Sequence, residues 1–252
     1  MKIGYSFKIL HFKEMNSTQK FAHEYIKNND TCDGTVIISE TQSQGIGRMN
    51  RNWASPLGGL WMSIIIQKKI PIKLLNGFSI KLGLNLISKL EQINGLQFKL
   101  RWPNDLMLFD KKVGGILVDF SSSNNFLKNM IIGIGINVNV KIEDLPIDIQ
   151  ASATSISNEL CKNFQIEIIK DFILNSISEL LSQIKAKNYF NFKTEWAEKS
   201  FTYNKHVKII TSTKTIEGLD VGITDAGELI IKTKNKEEVI NDSDIKLFRI
   251  VD

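Results

Sequence analysis

Apolar and polar positions begin to alternate almost at once, and residues 6–12 read as a first strand. Asn16-Ser17-Thr18 then supplies capping side chains, and Phe21, Ala22, Tyr25 and Ile26 carry the spacing of a helix. A β-branched run over residues 35–39 marks a buried strand. A polar, glycine-containing stretch over 41–56 predicts a loop, and residues 60–66 a further strand. Phe78, Leu82, Leu86, Ile87 and Leu90 fall on one face of a helix over about 76–93. Strands are predicted around 98–101, 105–109, 113–120 and 130–138, with a hairpin around Asp110-Lys111-Lys112.

The period then changes. Ile166, Ile169, Phe172, Ile173, Leu180 and Ile184 line one face of a helix over 165–184, and a short helix is predicted over 189–197. From about Phe201 onward the chain returns to short strands, at 207–210, 215–223, 228–233 and 245–248. About fifty residues of that kind predict a small barrel-like β module. The expected fold class is α+β: a mixed sheet with helices over residues 1–200, followed by a small β domain over 201–252. No internal repeat or low-complexity linker interrupts it.

Composition narrows the function classes. With 252 residues, 42% hydrophobic and 23% charged, the chain can bury a sizeable core and is not of the disordered class. No run approaches the ~20 apolar residues that span a bilayer. No signal peptide precedes the first strand, and Cys32 and Cys161 are too few and too far apart for a disulfide framework, so a cytoplasmic location is expected. The net charge of +5 comes from dispersed lysines. Such a field attracts an anionic ligand or an acidic partner, but lacks the basic stripe of a DNA-binding protein. His11, His23 and His206 have no ligand spacing with each other or with the cysteines, and no protein-held metal is expected.

Four segments carry candidate chemistry. Ser17-Thr18-Gln19 sits at a strand-to-helix junction, where it is either a helix cap or a polar site. Gln42 to Trp53 contains Gly45-Ile46-Gly47-Arg48-Met49-Asn50-Arg51. Its glycines and arginines can bring backbone N–H groups and guanidinium forks onto a phosphate or carboxylate, with Trp53 covering a flat ligand. A flexible surface loop would look the same, and the stretch is no dinucleotide fingerprint. Arg101-Trp102-Pro103-Asn104-Asp105 is followed by Lys112-Val113-Gly114-Gly115. Pro-Asn-Asp suits an ordinary turn, whereas a lysine before two strand glycines lets a ligand lie against the backbone within reach of an ammonium group. Ile132-Gly133-Ile134-Gly135-Ile136-Asn137 repeats the glycine pattern, which also suits a bulge or a crowded packing site.

In this order and spacing the segments closely resemble the biotin–protein ligase family over residues from about 10 to 140. The most specific pieces are Arg101-Trp102-Pro103-Asn104-Asp105 and Lys112-Val113-Gly114-Gly115-Ile116-Leu117-Val118. Ile216-Glu217-Gly218, Gly222-Ile223 and Asp225-Ala226-Gly227-Glu228-Leu229 look more loosely like the family's C-terminal SH3-like domain. The resemblance implies a catalytic domain related to class II aminoacyl-tRNA synthetases. It implies an enzyme that uses ATP, with Mg2+ bound through the phosphates, to ligate biotin to a lysine of the biotin carboxyl carrier domain of a carboxylase. Biotinyl-5′-AMP is the implied intermediate, and AMP and pyrophosphate the implied products.

By the same resemblance Ser17, Thr18, Gln19 and Gln42 would contact the ureido ring, and Gly45, Ile46, Gly47 and Arg48 would close over biotin beside Lys112 and Gly115. Arg48, Met49, Arg51, Trp53, Asn104 and Asn137 would serve the adenylate. Lys112, Arg48 and Asp105 would be catalytic, with Asp105 orienting the carrier amine or accepting its proton. Ile46 stands where the family usually has a basic residue, Gln19 where it has asparagine, and Arg101 where it has lysine; Met49 and Asn50 also depart from the familiar loop. A helix-turn-helix domain, which some members place before the core, has no room ahead of the first strand, so ligation without repression is expected. A homodimer is compatible with the sequence. A lipoate–protein ligase would share the fold and adenylate chemistry, but its basic glycine-rich and histidine-containing segments are missing. A non-enzymatic module binding RNA or protein through the C-terminal β domain would leave Lys112, Gly114 and the Arg48 loop unexplained.

Overall fold

Strands β1 (Lys8–Met15) and β2 (Thr35–Gln42) run parallel, which requires a crossover between them, and helix α1 (Thr18–Asn28) supplies it. Ser17 is extended and its hydroxyl accepts from the Lys20 N–H, so the expected cap is real. The computed structural model describes residues 5–186, 192–241 and 245–251. After β3 (Leu60–Ile66) and helix α2 (Phe78–Leu90) come β4 (Phe98–Arg101), β5 (Asp105–Leu108), β6 (Lys111–Ser123) and β7 (Phe126–Ile136). These form one mixed sheet in the order β1-β2-β3-β7-β6-β5-β4, antiparallel apart from its first pair.

The central strands are buried on both faces, which is why β2 and β3 read as continuous apolar runs. Val36, Ile38, Ile64, Ile66 and Ile132 face the main core under α2, where α5 (Ile166–Lys185) also packs. Ile37, Ile65 and Ile131 alternate to the opposite face, against Ala22 of α1. Two short helices, α3 (Ile147–Gln150) and α4 (Ile156–Leu160), lie between β7 and α5, and α6 (Phe192–Lys199) follows. No described helix is long and apolar enough to cross a membrane.

The C-terminal sheet is antiparallel throughout, in the order β11-β10-β9-β8-β12. Its strands are β8 (His206–Thr211), β9 (Thr215–Ile223), β10 (Leu229–Lys232), β11 (Glu237–Ile240) and β12 (Ile245–Ile250). It is joined to the larger sheet by Trp102, whose indole donates to the Gly227 carbonyl at 2.9 Å and meets Phe248 edge-on at 6.1 Å. The fold is therefore α+β, a mixed sheet covered by helices and followed by a small antiparallel β domain.

Several element ends differ from the sequence reading. The β5–β6 turn is Phe109-Asp110, and Lys111 and Lys112 are already paired with Leu108 and Met107 in β6. The β6–β7 hairpin runs past its predicted ends to Asn124-Asn125, both at positive φ (50° and 63°) as a tight I′-like turn requires. Its tip, Ser121 to Ser123, is exposed and polar, so no apolar alternation announced it. Charged Glu237 and Glu238 concealed β11, an edge strand where such residues discourage pairing with other chains. Residues 192–197 of the predicted short helix lie in α6; 189–191 lie outside the described residues.

Candidate active site

A cavity of about 280 Å3 opens on the α1 face of the larger sheet and draws its walls from both sheets. One end is built from neutral hydrogen-bonding groups. Gln42 accepts the Thr18 N–H through Oε1 at 2.7 Å and donates through Nε2 to the Ser55 hydroxyl at 2.8 Å. Ser63, on β3, lies 2.9 Å from both Thr18 Oγ1 and Gln19 Oε1, and its single proton serves one of them. Ser17, Thr18, Gln19 and Gln42 all line the cavity.

The other end is cationic. Lys112 Nζ lies 2.6 Å from Asp105 Oδ1, while Arg101 holds Oδ2 through Nη2 at 2.6 Å and Nε at 3.2 Å. A register shift between Leu106 and Met107 inserts an extra residue in β6, so that Lys112, opposite Met107, and Gly115, opposite Asp105, share the cavity face. Lys112 Nζ also sits 5.0 Å from the centre of the Trp53 ring. Burial works against the Asp105 charge, but Lys112 and Arg101, with their hydrogen bonds, outweigh it and hold the carboxyl below the usual carboxylate range. A carboxylate so held is a poor proton acceptor and a good anchor for the lysine. Its stabilising contribution is complete above the unfolded pKa and disappears as pH falls through the lower, folded one. Asp105→Asn is therefore expected to lower the melting temperature at pH 7 by several degrees, with the difference from wild type shrinking below about pH 4. Thermal melts at pH 7 and pH 3 check it; an equal difference at both would contradict it.

The glycine loop folds onto itself and onto the small sheet. Trp53 N–H donates to Gly45 O, Gly47 N–H to Arg51 O, and Ile46 bridges Asn52. Arg51 Nη2 donates to the Lys246 carbonyl on β12 at 2.7 Å. Ile46, Gly47, Arg48, Met49, Arg51 and Trp53 line the cavity; Gly45 is buried behind it, where a side chain would strike the Trp53 carbonyl and the Ser55 hydroxyl.

The strand glycines serve the protein's own side chains as well as the cavity. A Cβ on Gly135 would lie 2.6 Å from Trp53 Nε1, one on Gly133 2.6 Å from Gln19 Oε1, and Gly115 lies under the same indole. Asn104 borders the cavity, but its amide donates to the Ile116 carbonyl at 2.6 Å, tying the β4–β5 turn to β6. Asn137 does not line the cavity. Its side chain is buried and donates to the Thr154 carbonyl at 2.9 Å, so this structure gives it a scaffolding contact. Among the described residues no cluster of three or more His, Cys, Asp or Glu side chains is arranged to hold a metal ion.

Sequence reasoning missed four contributors. Ser63 is hidden in an apolar run, Arg101 stands out only as a replacement for lysine, and Asp119, outside the cavity wall and bonded to Gln19, lies on β6 beyond the glycines. Ile245 to Phe248 of β12 also wall the cavity, a contact across more than a hundred residues that no local pattern reports.

Two protein-family models match the chain. Residues 11–137 match the biotin/lipoate A/B protein ligase family, and residues 202–247 match the biotin protein ligase C-terminal domain. The bifunctional ligase/repressor BirA of Bacillus subtilis is 30% identical over 240 residues, covering 95% of this chain and 74% of that protein. The biotin–[acetyl-CoA-carboxylase] ligase of Paracoccus denitrificans is 22% identical, over 81% of this chain and 86% of its own. The biotin protein ligase of Aquifex aeolicus, solved with biotin and ATP, superimposes with a TM-score of 0.80 at 30% identity, over 97% of this chain and 99% of that one.

Proposed function

The chain belongs to the biotin/lipoate A/B protein ligase family, and from that membership we propose that it joins biotin, at the expense of ATP, to a lysine of a biotin carboxyl carrier protein. The observation that carries this reading is one cavity with two chemically different ends. A bicyclic urea with a carboxylate tail needs neutral donors and acceptors at its head and cations at its tail. Thr18, Gln42 and Ser63 lie at one end, and Lys112, Arg48 and Arg51 at the other. The dithiolane of lipoate offers no hydrogen-bonding group to the Thr18 hydroxyl at that end, which disfavours it as the acid.

The biotin carboxylate attacks the α-phosphorus of ATP, pyrophosphate leaves, and biotinyl-5′-AMP remains. Two unit charges ~4 Å apart repel by about 4 kcal/mol at an effective dielectric near 20. Lys112, held between Asp105 and Trp53, and Arg48 offset that repulsion and stabilise charge that develops during transfer. Bound through the ATP phosphates, Mg2+ would supply further charge neutralisation beside Lys112 and Arg48. The loop carrying Arg48 and Trp53 shields the mixed anhydride from water. The carrier lysine, as the neutral amine, then attacks the acyl carbon and AMP departs. Asp105 positions Lys112 in this scheme; its depressed pKa makes it a poor acceptor for the carrier proton. The catalytic unit occupies residues 1–200 and the small β domain residues 201–252, with β12 completing the cavity wall.

Purified protein with Mg2+ and ATP is expected to exchange pyrophosphate when biotin is present, and not with lipoate or with neither acid. Exchange driven by lipoate would move the activity to the sister branch of the family, and no exchange with either would overturn the reading.

A further inference from the structure

Beside the neutral end of the cavity a chain of hydrogen bonds runs under helix α1, along the same face of the sheet, to a second opening at the surface. Asp119 Oδ2 receives Gln19 Nε2 at 2.8 Å and lies 3.0 Å from His23 Nε2. His23 and Asp119 border a second cavity, of about 520 Å3, lined also by Lys27, Asn29 and Lys128 among others. Gln19 is buried, and its other amide atom, Oε1, meets the Ser63 hydroxyl. Ser63 in turn touches Thr18 Oγ1.

Hydrogen-bond chemistry gives this chain a direction. A carboxylate accepts and cannot donate, so the Gln19 NH2 must face Asp119, and its oxygen must then face Ser63. Ser63 has one proton, and an amide oxygen can only accept, so that proton goes to Gln19, and the 2.9 Å contact with Thr18 is made by the Thr18 hydroxyl donating to Ser63 Oγ. The Thr18 N–H is already committed to Gln42. What remains facing the cavity is the Thr18 oxygen with acceptor capacity free, suited to the N–H of a urea. Reversing Gln19 would put NH2 against Ser63, send the Ser63 proton onto Thr18, and turn this corner from accepting to donating. Gly133 fits the same arrangement, since a Cβ there would lie 2.6 Å from Gln19 Oε1 and push it off Ser63.

We infer that Asp119, which does not line the cavity, is a positioning residue that sets the hydrogen-bond polarity of the biotin end through Gln19 and Ser63. The inference rests on the biotin reading above. Its test is a polarity swap. Asp119→Lys places a donor-only group opposite Gln19 and reverses the amide; Gln19→Glu alone sets two carboxylates against each other. Together, Glu at 19 accepts from both Lys at 119 and Ser63, which restores the original direction. Asp119 is half-exposed, so the substitution is compatible with folding.

Apparent KM values for biotin and for ATP, measured by pyrophosphate exchange on the four proteins, give the readout. Each single variant is expected to raise the biotin KM by about tenfold, the scale of one misdirected buried hydrogen bond, with the ATP KM within about twofold. The double variant is expected to return to within about threefold of wild type. Additive losses in the double variant, or single variants indistinguishable from an active wild type, would overturn the relay alone. A wild type with no biotin-dependent exchange would overturn the functional reading, and the relay with it.

Discussion

Lys112→Ala is expected to lower biotin-dependent pyrophosphate exchange by about 10²–10³-fold, the usual effect of removing one preorganised charge from a transfer site. Lys112 is the residue where three observations meet: the 2.6 Å pair with Asp105, the 5.0 Å approach to the Trp53 ring, and a place on the wall where both anions must come together. Arg101 keeps Asp105 paired when the lysine is gone, so the fold should survive. The loss should therefore appear in turnover while the melting temperature moves by only a few degrees. Lys112→Arg should not restore the rate, because a planar guanidinium cannot occupy the point-like position of the ammonium between Asp105 and the indole. Exchange by Lys112→Ala within about threefold of wild type would remove Lys112 from the proposed chemistry.

Trp102→Ala is expected to cost about 3–5 kcal/mol of stability, a fall of roughly 10 °C in melting temperature. The indole is almost wholly buried, meets Phe248 of β12, and gives its N–H to Gly227 of the small sheet. Alanine would leave a cavity and an unpaired carbonyl at the junction between the two sheets. The small sheet should loosen first, and with it the Lys246 carbonyl that receives Arg51. Exchange should consequently fall more steeply with temperature than in wild type. Calorimetry and exchange assays between 20 and 45 °C test this; a melting temperature within 2 °C of wild type would show that Trp102 does not couple the sheets.

Much of this protein is decided by local pattern. The helix α2 and the strands β3, β4 and β9 follow from apolar period and β-branched runs, because burial on one stripe or on both faces leaves its own signature in residue order. The cap at Ser17 is equally local, since the side chain bonds a backbone group three residues away. The family resemblance, and with it the adenylate-forming chemistry and the residues from Ser17 to Lys112, was likewise present in the order of short motifs.

Tertiary structure decided what those residues do to one another. The bulge that sets Lys112 and Gly115 on one face, the clamp of Arg101 on Asp105, and the return of β12 to the cavity depend on register and on contacts distant in sequence. The strand glycines show the difference most clearly. A missing side chain announces that something comes close, and only packing reveals that at Gly135 it is the Trp53 indole and at Gly133 the Gln19 amide. Sequence order specifies which groups are available, because chemistry and local conformation belong to single residues and their neighbours. Which group faces which, and which way a proton points between Asp119, Gln19 and Ser63, is set by the three-dimensional fit alone.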